Sequence, residues 1–183
     1  MSTHMKLICS SPPLPPSQKT MPSSHRQLHL CLLLALTACG GTDPATQVNE
    51  SYSSLNARDY SGAEAGFAEA LPQLEPGTSV HLRAQLGLFR ARSFSDSASA
   101  KTDFLAYASA NKLEIGDYTQ FITDLVTGEH LEEAIAVVGE MKKAFPDNVK
   151  VDDMGNALVE RAKSAGDTSA LDALSGLGYV GND

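Results

Sequence analysis

The sequence predicts an all-α protein made of about four antiparallel helix hairpins. Apolar residues recur at the spacing of one helix face, and no stretch alternates apolar and polar residues as a strand does. The clearest case is a pair of apolar sets on either side of a break at Gly128-Glu129. The second set ends before Pro146, because proline cannot continue the helical hydrogen-bond pattern. The two sets are Tyr118, Phe121, Ile122, Leu125 and Val126, then Leu131, Ala134, Ile135, Val138 and Met141.

The same plan recurs along the chain. We expect the first helix of each hairpin at residues 44–57, 79–93, 116–127 and 151–165. Each second helix has a small residue, a bulky one four residues later and another apolar one three beyond, and the small residues stand 37, 34 and 36 residues apart. These sets are Ala63, Phe67 and Ala70; Ala100, Phe104 and Tyr107; Ala134, Val138 and Met141; Ala170, Leu174 and Leu177. Small residues at these positions allow two helices to approach closely.

This spacing resembles the second helix of the tetratricopeptide repeat (TPR), and residues 58–71 and 129–146 carry the resemblance best. The resemblance implies a TPR-like α-solenoid, in which stacked hairpins leave a concave groove lined by the first helices. The chain departs from the family pattern because it has no Trp, only Leu86-Gly87 matches the usual Leu-Gly pair, and Tyr107 replaces a small residue. The alternative is a closed Ala-rich helical bundle whose similar hairpins are coincidental.

The amino-terminal part has the order of a secretory signal. From Met21 a short polar stretch with Arg26 precedes the apolar run 30–36, and small residues follow it. The apolar run is too short to cross a bilayer as a helix. We therefore expect export and removal of this segment.

The end of this segment, Leu36-Thr37-Ala38-Cys39, resembles the lipobox of bacterial lipoproteins. The resemblance implies a diacylglycerol thioether on Cys39, cleavage between Ala38 and Cys39, and acylation of the new amino terminus with a fatty acid such as palmitate. Two or more acyl chains give stable membrane anchoring. Gly40 in place of Asp after the cysteine implies an outer-membrane location facing the periplasm. The alternative is a secretory signal cut elsewhere, with Cys39 an ordinary residue.

The first twenty residues contain a Pro-rich stretch and are unusual for a signal. We expect translation to begin at Met21 rather than at Met1 or Met5; a Pro-rich ligand segment is the other interpretation. The predicted parts are residues 1–20, a start-site extension; 21–38, the signal peptide; 39–45, a lipidated tether; and 46–183, the repeat domain. Cleavage leaves Cys39 as the only one of three cysteines, which excludes an intramolecular disulfide.

The composition of the mature chain argues against several function classes. The full chain has a net charge of −8, and the segment expected to be lost carries Lys6, Lys19 and Arg26 but no acidic residue. The mature chain is therefore still more acidic and a poor partner for nucleic acid. No phosphate-binding, dinucleotide-binding, nucleophile-elbow or C-x-x-C motif occurs in the sequence.

Metal-binding and catalytic residues are also scarce. Only His81 and His130 remain after cleavage, and His130 with Glu133 supplies two ligands at most. Acidic pairs such as Asp152-Asp153 fall at predicted helix starts, where the helix dipole favours them. We predict no catalytic residue, no metal, no cofactor beyond the lipid on Cys39 and no small-molecule substrate. A minor alternative is an unrecognised enzyme that depends on His81 or His130.

One cationic cluster contrasts with the acidic background: Arg83, Arg90 and Arg92 on the predicted helix 79–93. Arg83 and Arg90 are seven residues apart and share a face. The TPR resemblance places that face in the concave groove, where the two arginines would bind a carboxylate or an acidic peptide through bidentate hydrogen bonds. The alternative is a solvated face that offsets nearby acids.

These observations predict a membrane-anchored periplasmic lipoprotein that acts as a non-catalytic adaptor or scaffold. Its partners would be the membrane and other proteins or peptides of the cell envelope. An alternative is a subunit of an outer-membrane assembly machine, because β-barrel assembly and type IV pilus systems both use lipoproteins of the TPR type.

Overall fold

The computed structural model describes residues 42–180, and those residues form eight α-helices and a short 3₁₀ helix, with no strand among them. The all-α prediction is confirmed. The helices are α1 (Pro44–Asn56), α2 (Tyr60–Ala70), α3 (Ser79–Arg92), α4 (Ser97–Ala110), α5 (Ile115–Thr127), α6 (Leu131–Ala144), α7 (Val149–Ala165) and α8 (Thr168–Gly176). The 3₁₀ helix, Leu71–Gln73, extends the end of α2. The four predicted first helices correspond to α1, α3, α5 and α7.

Side chains at the N-cap positions determine where most of these helices begin. The Asp43 carboxylate accepts a hydrogen bond from the Thr46 N–H at 3.0 Å, and Asp59 accepts one from the Gly62 N–H at 3.0 Å. Asn148 accepts one from the Lys150 N–H at 3.1 Å. This cap explains why α7 begins at Val149, two residues before its predicted start.

Three of the hairpin turns share one backbone conformation. Each contains a residue with a left-handed φ: Arg58 (64°), Glu129 (65°) and Gly166 (67°). The next residue then donates its N–H to the carbonyl five residues earlier, which ends the helix. These bonds are Asp59 N–H to Ser54 O (2.9 Å), His130 N–H to Leu125 O (2.8 Å) and Asp167 N–H to Ala162 O (3.0 Å).

The small residues predicted at close helix approaches are buried. Ala63, Ala100 and Ala134 are fully buried, and Ala170 is 6% exposed. Gly87 on α3 shows a similar fit, because a Cβ atom there would collide with the ring of Phe67. Close approach of α2 and α3 therefore depends on the absence of a side chain at position 87.

The core consists of two hydrophobic clusters that meet at α3. Helix α3 contributes Ala84, Leu88 and Ala91 to the first and Phe89 to the second. The N-terminal cluster is Val48, Leu55, Ala63, Phe67, Ala70, Ala84, Leu88 and Ala91. The C-terminal cluster is Phe89 with the buried apolar residues between Ala100 and Leu174.

The substantial packing contacts join helices that are adjacent in chain order or separated by one helix. First helices pack in the pairs α1–α3 and α3–α5, and second helices pack in the pairs α4–α6 and α6–α8. In the part of the chain that the structure describes, no helix has the length and apolar character needed to cross a membrane. The predicted extension, signal peptide and lipidation site, with Ala38 and Cys39, lie outside the described residues.

Candidate peptide-binding groove

Arg83 and Arg90 border the same cavity, which has a volume of about 180 Å³. Its walls come from the first helices α1, α3 and α5, and α4 supplies one residue. We call this cavity the arginine groove. It is lined by Tyr52, Arg83, Leu86, Arg90, Phe104, Asp117, Gln120 and Phe121.

The guanidinium of Arg90 is already paired with a carboxylate of this chain. Its Nε donates to Asp124 Oδ2 at 2.5 Å and its Nη2 to Oδ1 at 3.4 Å. The two side chains are 22% and 12% exposed, so the pair is largely shielded from solvent. Arg90 therefore links α3 to α5 with the bidentate geometry that the sequence suggested for an external ligand.

Arg83 is exposed and has only neutral partners. Its Nη2 donates to the amide oxygen of Asn49 at 3.2 Å, and its guanidinium lies 5.1 Å from the ring centroid of Tyr52. The structure gives it no carboxylate partner among the described residues. An exposed guanidinium against an aromatic face retains most of its donors for a ligand.

Tyr52 is held in place at the wall of the groove. Its hydroxyl donates to the Arg83 carbonyl at 2.8 Å, and its ring meets Phe67 edge-on with centroids 4.9 Å apart. Burial raises the pKa of the Tyr52 phenol, and the nearby charges of Arg90 and Arg83 lower it in part. Both arginine side chains therefore act on the same stretch of the groove.

Asp117 provides a negative charge on the α5 wall. Its Oδ2 accepts the Glu114 N–H at 2.9 Å, which caps the start of α5. Burial raises the pKa of the nearby Tyr107 phenol, and the charge of Asp117 raises it further. Asp117 is half-buried and borders the groove.

The floor of the groove is aromatic. Phe104 and Phe121, both 1% exposed, stack with ring centroids 4.3 Å apart and planes 15° from parallel. Leu86 from α3 completes an apolar surface beneath the charged rim. The combination of an apolar floor and a few placed polar groups is typical of a binding site.

Two polar pairs across the groove join residues 34 positions apart, close to the spacing predicted for the repeats. Asn49 and Arg83 are 34 residues apart, and so are Arg90 and Asp124. Asp124 was missed by the sequence reasoning, although an opposite charge one repeat after Arg90 was a usable signal. Arg92 lies apart from the groove, because its guanidinium pairs with Glu64 at 3.0 Å and Asp103 at 2.7 Å.

Comparison with known proteins adds no family. No protein-family model, curated protein or solved structure matches the chain.

A second, more open cavity of about 420 Å³ lies at the ends of α5 and α7. We call it the α5–α7 crevice. Its walls carry both signs of charge, from Glu129, Arg161 and Asp167, but no aromatic residue. It is lined by Val126, Glu129, Leu131, Arg161, Ser164, Ala165 and Asp167.

The two histidines among residues 42–180 lie at helix starts. The His81 N–H donates to the Thr78 hydroxyl at 3.3 Å, and His130 is the N-cap residue of α6. Within residues 42–180, no three His, Cys, Asp or Glu side chains come together as a metal site would require. Neither histidine borders the arginine groove or the α5–α7 crevice.

Proposed function

We propose that this protein is a lipid-anchored periplasmic adaptor whose stacked TPR-like hairpins bind a segment of another envelope protein in the arginine groove. Its work is binding and localisation, without a chemical step. The observation that carries the proposal is the groove itself: three successive first helices share one cavity with an aromatic floor and a charged rim.

Two features support stacking of the TPR type. Among the described helices, substantial contacts join only those that are adjacent or separated by one helix, whereas a closed bundle would bring the first and last hairpins together. Polar contacts also join residues one repeat length apart, as in Asn49–Arg83 and Arg90–Asp124. Both features are expected when each hairpin repeats the position of the one before it.

The lipid anchor is supported by the lipobox sequence that ends at Cys39. Helix α1 begins at Pro44, so four residues separate Cys39 from the helix. At roughly 3.3–3.6 Å per residue, such a connection spans less than about 20 Å. A lipidated Cys39 would therefore hold the repeats close to the membrane and raise their effective concentration near membrane-bound partners.

Affinity capture from native membranes tests both parts of the proposal. Wild-type protein is compared with Cys39→Ala and with Gln120→Trp, which places a bulky ring at the exposed rim of the groove. Asn156→Trp is the matched control, because Asn156 is exposed on α7 and borders neither cavity. We expect Cys39→Ala to lose membrane retention and fatty-acid labelling. We expect Gln120→Trp to recover about tenfold less partner than the wild type does.

Two results would overturn the proposal. Membrane retention and fatty-acid labelling of Cys39→Ala at the wild-type level would remove the lipid anchor. Equal recovery of partners by wild type, Gln120→Trp and Asn156→Trp would remove the groove as the binding surface.

A further inference from the structure

Arg83 and Asp117 occupy positions one repeat length apart on α3 and α5, yet they do not pair. The same spacing gives a hydrogen bond between Asn49 and Arg83. It also gives the ion pair of Arg90, whose partner is one repeat later. Within the described residues, no ion pair within 4.0 Å joins Arg83 to Asp117, although their charges are opposite and both border the arginine groove.

Each of these two charges has a neutral partner that leaves it able to bind a ligand. Arg83 donates to an amide oxygen and lies over Tyr52, so its charge is not neutralised. Asp117 accepts the Glu114 N–H through Oδ2, and among residues 42–180 it forms no ion pair with a lysine or arginine. The groove therefore carries one positive group on α3 and one negative group on α5.

Two further charged residues at the groove, Arg90 and Asp124, do not change this arrangement of one accessible positive and one accessible negative group. Arg90 and Asp124 neutralise each other across α3 and α5 in a bidentate pair. A ligand that took Arg90 from Asp124 would leave a buried carboxylate without its partner, at a large cost. Arg83 and Asp117 are the accessible charges, and the binding chemistry follows from them.

The space beside these charges suits an apolar group. The floor is the buried stack of Phe104 and Phe121. A volume of about 180 Å³ is several times the roughly 30 Å³ that one water takes in the liquid, and is large enough for a leucine or phenylalanine side chain. Burying such a side chain releases water from an apolar surface and favours binding.

Building on the proposed function, we propose that the groove selects an extended segment with an apolar anchor residue between an acidic and a basic residue. The anchor enters the cavity above Phe104 and Phe121. The acidic side chain meets Arg83 and the basic side chain meets Asp117. Alternate residues of an extended segment point to the same side, so the charges belong two residues before and two after the anchor.

Short synthetic peptides with blocked ends test this selectivity on the purified repeat-containing chain. One peptide has the core glutamate, serine, leucine, serine, lysine, and a second has the two charged residues exchanged, because either chain direction fits the proposal. A third has glutamine in place of both charges, and a fourth has glycine in place of leucine. Affinity is measured by fluorescence anisotropy. We expect one charged order to bind about tenfold more tightly than the glutamine and glycine peptides.

Variants assign the two contacts. Arg83→Gln should reduce the affinity of the favoured peptide about tenfold but leave that of the glutamine peptide unchanged. Asp117→Asn should do the same, and its amide oxygen still accepts the Glu114 N–H, so the cap of α5 is retained. Unchanged circular dichroism and melting temperature show that each variant is folded.

The inference is overturned if neither charged peptide binds more tightly than the glutamine peptide. It is also overturned if both variants weaken the binding of all peptides equally. A separate result distinguishes this failure from failure of the proposed function. If Gln120→Trp abolishes capture of membrane partners while Arg83→Gln and Asp117→Asn leave capture unchanged, the groove still binds a partner and only its charge selectivity is wrong.

Discussion

The arginine groove and the α5–α7 crevice both lie between first helices of successive hairpins, yet they differ in volume. Their volumes are about 180 Å³ and 420 Å³. At the groove, side-chain pairs hold α3 to α1 and to α5. On α7, the residues one repeat after Asp117 and Asp124 are Val151 and Leu158, which are apolar and buried. Polar pairs at this spacing thus accompany the smaller cavity, whereas Val151 and Leu158 belong to the hydrophobic core and border neither cavity.

The last hairpin packs on α6 through both of its helices, α7 and α8. Helix α8 packs on α6, and Lys142 Nζ donates to the Leu177 carbonyl at 2.8 Å. The Tyr179 ring then covers Gly155 of α7, where a Cβ atom would collide with it. The same 34-residue spacing gives polar pairs at the groove and buried apolar residues on α7, so the spacing alone does not predict a groove.

The largest expected effect comes from breaking the pair that joins α3 to α5 at the groove. Asp124→Ala leaves the Arg90 guanidinium partly buried without its carboxylate, and we expect a loss of about 2 kcal/mol in the free energy of unfolding. Urea denaturation monitored by circular dichroism measures it. Glu160→Ala is the control, because the Glu160–Lys163 pair on α7 is exposed and should contribute less than about 0.5 kcal/mol.

Equal losses for Asp124→Ala and Glu160→Ala would show that the Arg90–Asp124 pair stabilises the protein no more than an exposed pair does. A double variant, Asp124→Ala with Arg90→Ala, separates the pair from the other contacts. If the pair is stabilising, Arg90→Ala should lower the free energy of unfolding much less in the Asp124→Ala background than in the wild type.

A smaller effect is expected at two tyrosines whose hydroxyls each donate to a main-chain carbonyl of a first helix. Tyr52 donates to Arg83 O at 2.8 Å at the groove, and Tyr179 donates to Val151 O at 3.2 Å on α7. Replacing either tyrosine by Phe removes one hydrogen bond and should cost about 1 kcal/mol in the free energy of unfolding. Only Tyr52→Phe should also weaken binding of the peptides described above, because Tyr179 does not border the groove. Weaker peptide binding by Tyr179→Phe would show that the two regions are coupled.

The smallest effect concerns the turn that borders the crevice. Glu129 has a left-handed φ of 65°, which is unfavourable for a residue with a side chain. Glu129→Gly should therefore stabilise the protein by about 0.5 kcal/mol, after the larger entropy of glycine in the unfolded chain is taken into account. The matched change is Gly166→Ala at φ 67°, which should destabilise by about 1 kcal/mol. Thermal melts of both variants measure the difference, and a lower melting temperature for Glu129→Gly would contradict the argument.

The fold was largely predictable because its signals are local. The repeated small residues, the break at Gly128-Glu129 and the proline at position 146 locate the hairpins, and α6 ends at Ala144 as that proline requires. The start of α7 was misplaced by two residues, because the cap formed by Asn148 was not considered. Local sequence patterns of this kind predict where helices begin and end, but they do not predict the distances between helices.

The site was predicted only in part. The two arginines share a cavity, as their common face suggested, but the sequence reasoning did not recognise that Asp124 neutralises Arg90. Whether two charges 34 residues apart pair or remain separate depends on packing between hairpins. Arg90–Asp124 and Arg83–Asp117 have the same spacing and opposite outcomes, so spacing alone was not sufficient.

The position of α3 between the two hydrophobic clusters has a consequence for how the domain opens. Phe89 belongs to one cluster, while Ala84, Leu88 and Ala91 belong to the other. Opening of the N-terminal cluster uncovers one side of α3, and opening of the C-terminal cluster uncovers the other, so either opening alone leaves α3 partly packed. Its amides should therefore exchange with solvent only in the global unfolding event, whereas those of α1 and α8 exchange through local openings. The helix that carries Arg83 and Arg90 would then be the slowest-exchanging segment, and ligand contacts would rest on the least mobile part of the domain.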